Sequence, residues 1–168
     1  GLNTLAIAIR KDANFLDSET CSGPRVFTPH PAEFQRLAEA FSQSQHLQDD
    51  PTAAEDRPRL AAWLARVCRS AVVLKGKNTV VSDAAGSTHF VNQTGNPALA
   101  TAGTGDVLTG LIAGLMAQGM PAFDAACLGV HIHGVAADAW SQNNGPGGLL
   151  AEELADQLPT AIHALRRN

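Results

Sequence analysis

What this sequence has little of narrows the field first. Basic residues are scarce and unclustered: 12 Lys and Arg against 16 Asp and Glu leave a net charge of −4. Nucleic-acid binding therefore lacks its electrostatic driving force. A scattered acidic excess serves solubility. Cysteine is sparse as well. Cys21, Cys68 and Cys127 lie far apart, with no Cys-x-x-Cys spacing. Neither a disulfide framework nor a structural zinc site is expected, and the odd count points to reduced thiols in a cytoplasm. No apolar run reaches the ~20 residues that a membrane span requires. The longest nearly uncharged one is Val107 to Ala117. No basic, apolar, small-residue stretch opens the sequence, so no secretory signal is read. His131 and His133 stand two apart, a metal-ligand spacing for a strand. They fall in a helical run and face apart, so no metal ligand is assigned.

What is present is an ordinary globular composition. Of 168 residues, 45% are apolar and 17% charged, with 15 glycines and 9 prolines. That excludes collagen-like and wholly disordered chains, and the length suits one domain. Leu5 to Ile9 reads as a strand or a helix. Arg25 to Thr28 is a short β-prone run that Pro29 and Pro31 stop, and Pro31 opens a helix through Glu33, Phe34, Leu37 and Phe41. Residues 42–58 read as a polar loop. Leu60, Trp63, Leu64 and Val67 recur at helical spacing. Ala71 to Leu74 is a continuous apolar run, the mark of a strand buried on both faces. Thr79 to Val81 and Thr88 to Val91 flank Asp83-Ala84-Ala85-Gly86 as a β-hairpin. Val107 to Gln118 reads as a helix apolar nearly all round and hence buried. Gly110 and Gly114 on it predict close packing against a neighbour. Phe123–Trp140 and Leu149–Leu165 are two further helices, with a turn at 143–148. Helices interleaved with strands predict an α/β fold with a mostly parallel sheet.

Three motifs carry chemistry. The first is Asn96-Pro97-Ala98-Leu99-Ala100-Thr101-Ala102-Gly103-Thr104-Gly105-Asp106, directly before the Val107 helix. Gly103 and Gly105 let a backbone approach a ligand closely, and the helix start offers unpaired N–H groups to a phosphate. Asp106 is either the helix cap or a general base beside that phosphate. The pattern is not a P-loop, because GxxxxGK[ST] is absent. The second is Leu74-Lys75-Gly76-Lys77-Asn78-Thr79. Lys75 ends the buried strand, where open α/β sheets bind ligands. It is either a phosphate contact or a solvated turn residue. The third is Thr28-Pro29-His30-Pro31-Ala32-Glu33. His30 is either a ligand contact stiffened by its prolines or a plain loop histidine.

In this order the motifs, with Asn92 to Leu108, Leu128 to Gly134 and Gly148 to Ala151, resemble the ADP-dependent NAD(P)H-hydrate dehydratases of the ribokinase-like superfamily. The likeness runs along almost the whole chain. It departs at Ala32, where the family usually has Gly, and at Glu152, where it often has Ser. Gly1-Leu2-Asn3 looks like the tail of a family segment. The resemblance thus implies that residues 1–168 are the C-terminal part of a longer domain, a three-layer α/β/α architecture. The N-terminal half would supply further strands and part of the substrate pocket. The resemblance also implies a reaction: hydrated NADH or NADPH is dehydrated at the expense of ADP, giving AMP and phosphate, with Mg2+ assisting. It implies that Lys75, Gly76, Lys77, Asn78, Thr79 and Gly105 line the nucleotide, with Asn96 a weaker candidate. His30 and Asp106 would contact the hydrate, with Asp106 the catalytic base. The alternatives are a small-molecule kinase of the same superfamily and a nucleotide-binding remnant without turnover. The expected partners are the nucleotide and the hydrate, with no nucleic acid and no membrane. The exposed edge of a half-domain predicts self-association or pairing with the missing segment.

Overall fold

The structure, a computed structural model, describes residues 1–12, 14–17, 23–45 and 56–167. Cys21 and the polar stretch 46–55 lie outside them. The chain divides into two compact units, Gly1–Val91 and Asn92–Asn168.

The first unit builds a sheet with helices on it. Helix α1, Leu2–Lys11, resolves the ambiguity at Leu5–Ile9: Ala6 and Ile9 are buried, and the helix packs along α2, Pro31–Gln45. Helix α3, Arg57–Cys68, starts two residues inside the stretch expected as loop. Asp56 caps it by accepting from the Arg59 amide (3.4 Å), and Pro58 sits in the first turn, where no amide hydrogen is missed. Strand β1, Val26–Phe27, runs parallel to β2, Ala71–Leu74. Strands β3, Val80–Ser82, and β4, His89–Val91, follow antiparallel. The described sheet is thus mixed, in the order β1-β2-β3-β4. Only residues 75–79 join β2 to β3, too few for the crossover that a parallel pair needs.

All four residues of β2 are buried, as the unbroken apolar run predicts. Val72, Leu74 and Val80 enter a core with Phe34, Leu37, Phe41 and Leu64. Phe34 and Trp63 meet edge to face, with ring centroids 6.5 Å apart. The hairpin turn is tied by Asp83. Its carboxylate accepts from the Ser87 amide (2.8 Å), the Ser87 hydroxyl (2.9 Å) and the Thr88 amide (3.0 Å).

The second unit is helical. Helix α4 covers Thr104–Ala117, α5 Ala122–Asn144 and α6 Ala151–Leu165. Ile132, Ala136, Trp140, Leu149 and Leu154 form its core. Here the sequence reading of α4 is corrected. Only Thr104, Leu108 and Ile112 of this helix are buried, while Thr109, Gly110, Ala113, Gly114 and Ala117 are exposed. The residues that are both large and apolar make one stripe, and the rest of its hydropathy comes from Ala and Gly, which demand little cover. Gly110 and Gly114 face open space among the described residues: outside their own helix backbone, a Cβ at either would meet no atom within 4 Å. The close approaches are made from α5. There a Cβ on Gly129 would lie 2.6 Å from Ile112 Cγ1, and one on Gly134 would lie 2.6 Å from the carbonyl carbon of Thr94.

Among the described residues no helix is long and apolar enough to cross a membrane.

Candidate active site

Two parallel strands end side by side, so whatever follows each is delivered to one edge of the sheet. Thr28-Pro29-His30 follows β1 and Lys75 to Thr79 follows β2. The Lys75 amide donates to the Pro29 carbonyl (2.9 Å), which extends the ladder one step past both strands. The first unit therefore brings the His30 motif and the Lys75 motif together.

The Lys75 turn has a backbone that few residues allow. Gly76 has φ +142° and Asn78 φ +53°, left-handed values open to Gly and tolerated by Asn. The Thr79 hydroxyl donates to the Gly76 carbonyl (2.9 Å) and accepts from the Gly76 amide (3.3 Å). Thr79 thus shapes the turn. Lys77 and Asn78 are exposed and Lys75 half-buried. Neither lysine has a carboxylate in ion-pair reach among the described residues.

Under this turn lies a residue that the sequence reading missed. Arg57, the first residue of α3, donates through Nη2 to the Leu74 carbonyl (2.8 Å) and the Lys75 carbonyl (3.1 Å). Burial pulls its guanidinium below the ordinary value. The available signal was Asp56-Arg57-Pro58, a cap, a first residue and a proline that together mark a helix start.

His30 is the N-cap of α2. Its carbonyl accepts from the Phe34 amide (2.9 Å). Its Nδ1 accepts from the Glu33 amide (3.3 Å), and Glu33 Oε2 accepts from the His30 amide (3.0 Å). This is a capping box with imidazole in the usual hydroxyl's place. Since the Glu33 amide can only donate, Nδ1 is unprotonated in that bond. The hydrogen sits on Nε2, 3.4 Å from Glu33 Oε2. The ring stays half-exposed, so Glu33 and the prolines hold a histidine of fixed orientation at the surface.

In the second unit, Gly103 is the N-cap of α4, with φ +89° and no side chain to cap with. Asp106 stands three residues further, and its own amide donates to the Gly103 carbonyl (3.0 Å). Asp106 does not cap the helix. Its exposed carboxylate has no hydrogen-bond or ion-pair partner among the described residues of its unit. The N–H groups of Ala102, Gly103 and Gly105 likewise have no acceptor among them. Unclaimed amides at a helix start are available to an anion. The turn is held from outside: the Thr104 hydroxyl donates to the Leu99 and Thr101 carbonyls (2.8 Å each), and buried His133 donates through Nε2 to the Thr104 carbonyl (2.9 Å). His133 is thus a prop for α4. Among the described residues no three His, Cys, Asp or Glu side chains converge as a metal site.

A profile of proteins described as NAD(P)H-hydrate dehydratase matches residues 2–160. The chain belongs to the NAD(P)H-hydrate dehydratase family. It is 44% identical over 131 residues to a Neisseria meningitidis protein named ADP-dependent (S)-NAD(P)H-hydrate dehydratase, covering 77% of this chain and 41% of that one. It is 42% identical over 146 residues to a bifunctional NAD(P)H-hydrate repair enzyme of Moorella thermoacetica, covering 85% and 25%. The crystal structure of a Bacillus subtilis ADP/ATP-dependent NAD(P)H-hydrate dehydratase, obtained with ATP and Mg2+, aligns with a TM-score of 0.72 at 35% identity, over 84% of this chain and 48% of that one. A ribokinase-like superfamily protein of Enterococcus faecalis aligns with a TM-score of 0.68 at 29% identity, over 96% and 50%. The expected α/β, ribokinase-like fold is therefore the fold of this member of the family. The chain spans a quarter to under half of these curated relatives and about half of the solved ones.

Asn96, the weaker candidate for the nucleotide, has structural partners of its own. Its Nδ2 donates to Asp138 Oδ1 (2.8 Å), while its Oδ1 accepts from the Ala98 amide (2.9 Å) and the Ser141 hydroxyl (3.0 Å). Asp138 Oδ2 also accepts from the Gly95 amide (2.8 Å). Asn96 thus helps to fix the segment that leads to the Gly103 turn, with one Nδ2 hydrogen given no acceptor among the described residues.

Proposed function

We propose that this family member dehydrates hydrated NADH or NADPH at the expense of ADP, releasing AMP and phosphate. The observation that carries the reading is the Gly103–Asp106 turn, with its unclaimed amides beside a carboxylate that has no hydrogen-bond partner among the described residues of its unit. In this reading Lys75, Gly76, Lys77, Asn78, Thr79 and Gly105 contact the nucleotide, and His30 and Asp106 contact the hydrate.

Asp106 takes the proton from the hydroxyl of the damaged nicotinamide ring. That oxygen attacks the β-phosphorus of ADP, and the bond to the bridging oxygen breaks, leaving AMP. The amides at Gly103 and Gly105 meet the charge on the transferring group, where preorganised donors stabilise the transition state most. Loss of the new phosphate, together with a ring proton, restores the double bond. Magnesium, when bound through phosphates, needs only one or two protein carboxylates. The ion would be carried by the phosphates and would neutralise their charge. The reading places the protein in the cytoplasm and takes residues 1–168 as one portion of a longer ribokinase-like domain.

The test is Asp106→Asn in the full-length protein. Folding should be nearly unchanged, because the carboxylate caps nothing. ADP-dependent turnover of the hydrate should fall by about 10²–10⁴-fold, the worth of a positioned base. Near-normal turnover in this variant would remove Asp106 from the chemistry. A stable phosphoester in place of restored nicotinamide absorbance and free phosphate would make the protein a kinase of the same superfamily.

A further inference from the structure

We infer that Arg57 is a positioning residue for the nucleotide: it holds the Lys75–Thr79 turn in its ligand-binding shape. The inference rests on the reading of that turn as nucleotide-binding.

Two carbonyls at the end of β2, those of Leu74 and Lys75, point where the strand pairing stops. Both are taken by one Nη2 of Arg57, at 2.8 and 3.1 Å. Lys75 is thereby fixed on its carbonyl side by Arg57 and on its amide side by the Pro29 carbonyl, 2.9 Å away. The guanidinium also fills the space over the next residue. A Cβ on Gly76 would lie 3.2 Å from Nη2 and 3.4 Å from Nη1. Glycine suits position 76 by its φ of +142°, and a Cβ there would press on the arginine tip.

This placement does not serve stability alone. Arg57 Nε is buried and has no acceptor among the described residues, and a buried donor left unmade is costly. Nor does any carboxylate pair with Arg57, Lys75 or Lys77 among the described residues. Three cationic side chains on one strand edge, without countercharge, favour an anion there. The planar fork of arginine spans two carbonyls at once, which a lysine ammonium on a flexible stem does less well.

The experiment compares wild-type full-length protein with Arg57→Met and Arg57→Lys. Each is measured for kcat, for KM of ADP and of the hydrate, and for ADP Kd by calorimetry. For Arg57→Met, KM and Kd for ADP should rise about tenfold or more, the worth of two hydrogen bonds from a charged donor. The value of kcat and the KM for hydrate should stay within about threefold. Arg57→Lys should fall between, because an ammonium can reach a carbonyl. If Arg57→Met does not fold, Arg57→Lys carries the test. A lower kcat with both KM values unchanged is the signature of lost folded protein, and it would overturn the inference. So would unchanged ADP affinity in both variants beside an active wild type. Wild-type protein that binds ADP without dehydrating the hydrate would refute the dehydratase reading alone, and Kd would then decide on Arg57. Wild-type protein that binds no ADP would refute both.

Discussion

A single methyl group on Gly134 tests the packing of the second unit. A Cβ there would lie 2.6 Å from the carbonyl carbon of Thr94 and 2.7 Å from its Cβ. Thr94 Oγ1 is nearer still; the carbonyl carbon and Cβ behind it cannot swing away as the tip of a long side chain can. Residues 92–95 would have to move off α5. Three bonds anchor them there: Asn92 Nδ2 to the Val130 carbonyl (3.3 Å), the Thr94 hydroxyl to the His131 carbonyl (3.1 Å) and the Gly95 amide to Asp138 (2.8 Å). At about 1 kcal/mol each, and more for the one to a carboxylate, the loss is about 3–4 kcal/mol. Alanine over glycine inside a helix returns about 1 kcal/mol. Gly134→Ala should therefore destabilise by about 2–3 kcal/mol, the upper range for overpacking. Gly110→Ala is the control. It sits within α4, exposed, with nothing near its Cβ position, and should stabilise by up to about 1 kcal/mol. Urea unfolding followed by circular dichroism measures both. A Gly134→Ala protein as stable as the Gly110→Ala protein would refute this account of the α5 interface.

Asp138→Ala should cost about 2–3 kcal/mol, since the Gly95 amide and Asn96 Nδ2 both lose a charged acceptor; the shift in urea midpoint reports it. Burial first, and then the charge of Asp124, push the Cys127 thiol up to about 11, and burial pushes Cys68 up further. In a Cys21→Ser background, both should resist iodoacetamide at pH 8 until denaturant is added. Because the folded value of Cys127 is raised, its contribution to stability is full below about pH 8.5, the usual unfolded value, and is lost as pH rises towards about 11. For Asp83, desolvation acts upward, but the Thr88 amide, the Ser87 hydroxyl and amide and the Gly86 amide outweigh it and hold the carboxyl below its ordinary value. Its contribution is present above about pH 4, the unfolded value, and lost as pH falls through the lower folded value. Asp83→Ala should thus weaken the hairpin at pH 7, by an amount that shrinks as pH falls through the lower folded value, which amide exchange at Ser87 and Thr88 would reveal.

Local chemistry alone determined much of this protein. Ala71–Leu74 reads as a fully buried strand because four apolar residues in a row leave no face for water. The hairpin around Asp83–Gly86 and the helix opened by Pro31 follow from turn and cap residues acting on their near neighbours. The three ordered motifs named the family, because each is a run of residues that acts within one turn of chain. What failed depended on residues distant in sequence. The hydropathy of α4 could not tell which side of an Ala- and Gly-rich helix would be left bare. Whether a helical glycine marks a contact depends on what comes opposite: Gly134 meets Thr94, 40 positions earlier, and Gly110 meets nothing. Asp106 as cap or base was open in sequence, since both need an acidic residue near a helix start. Only the fold put Gly103 at the cap and left the carboxylate without a hydrogen-bond partner among the described residues of its unit. Arg57 was invisible for the same reason. Its partners, Leu74 and Lys75, lie 17 and 18 residues along the chain, and no local pattern records a side chain that turns back beneath a strand end.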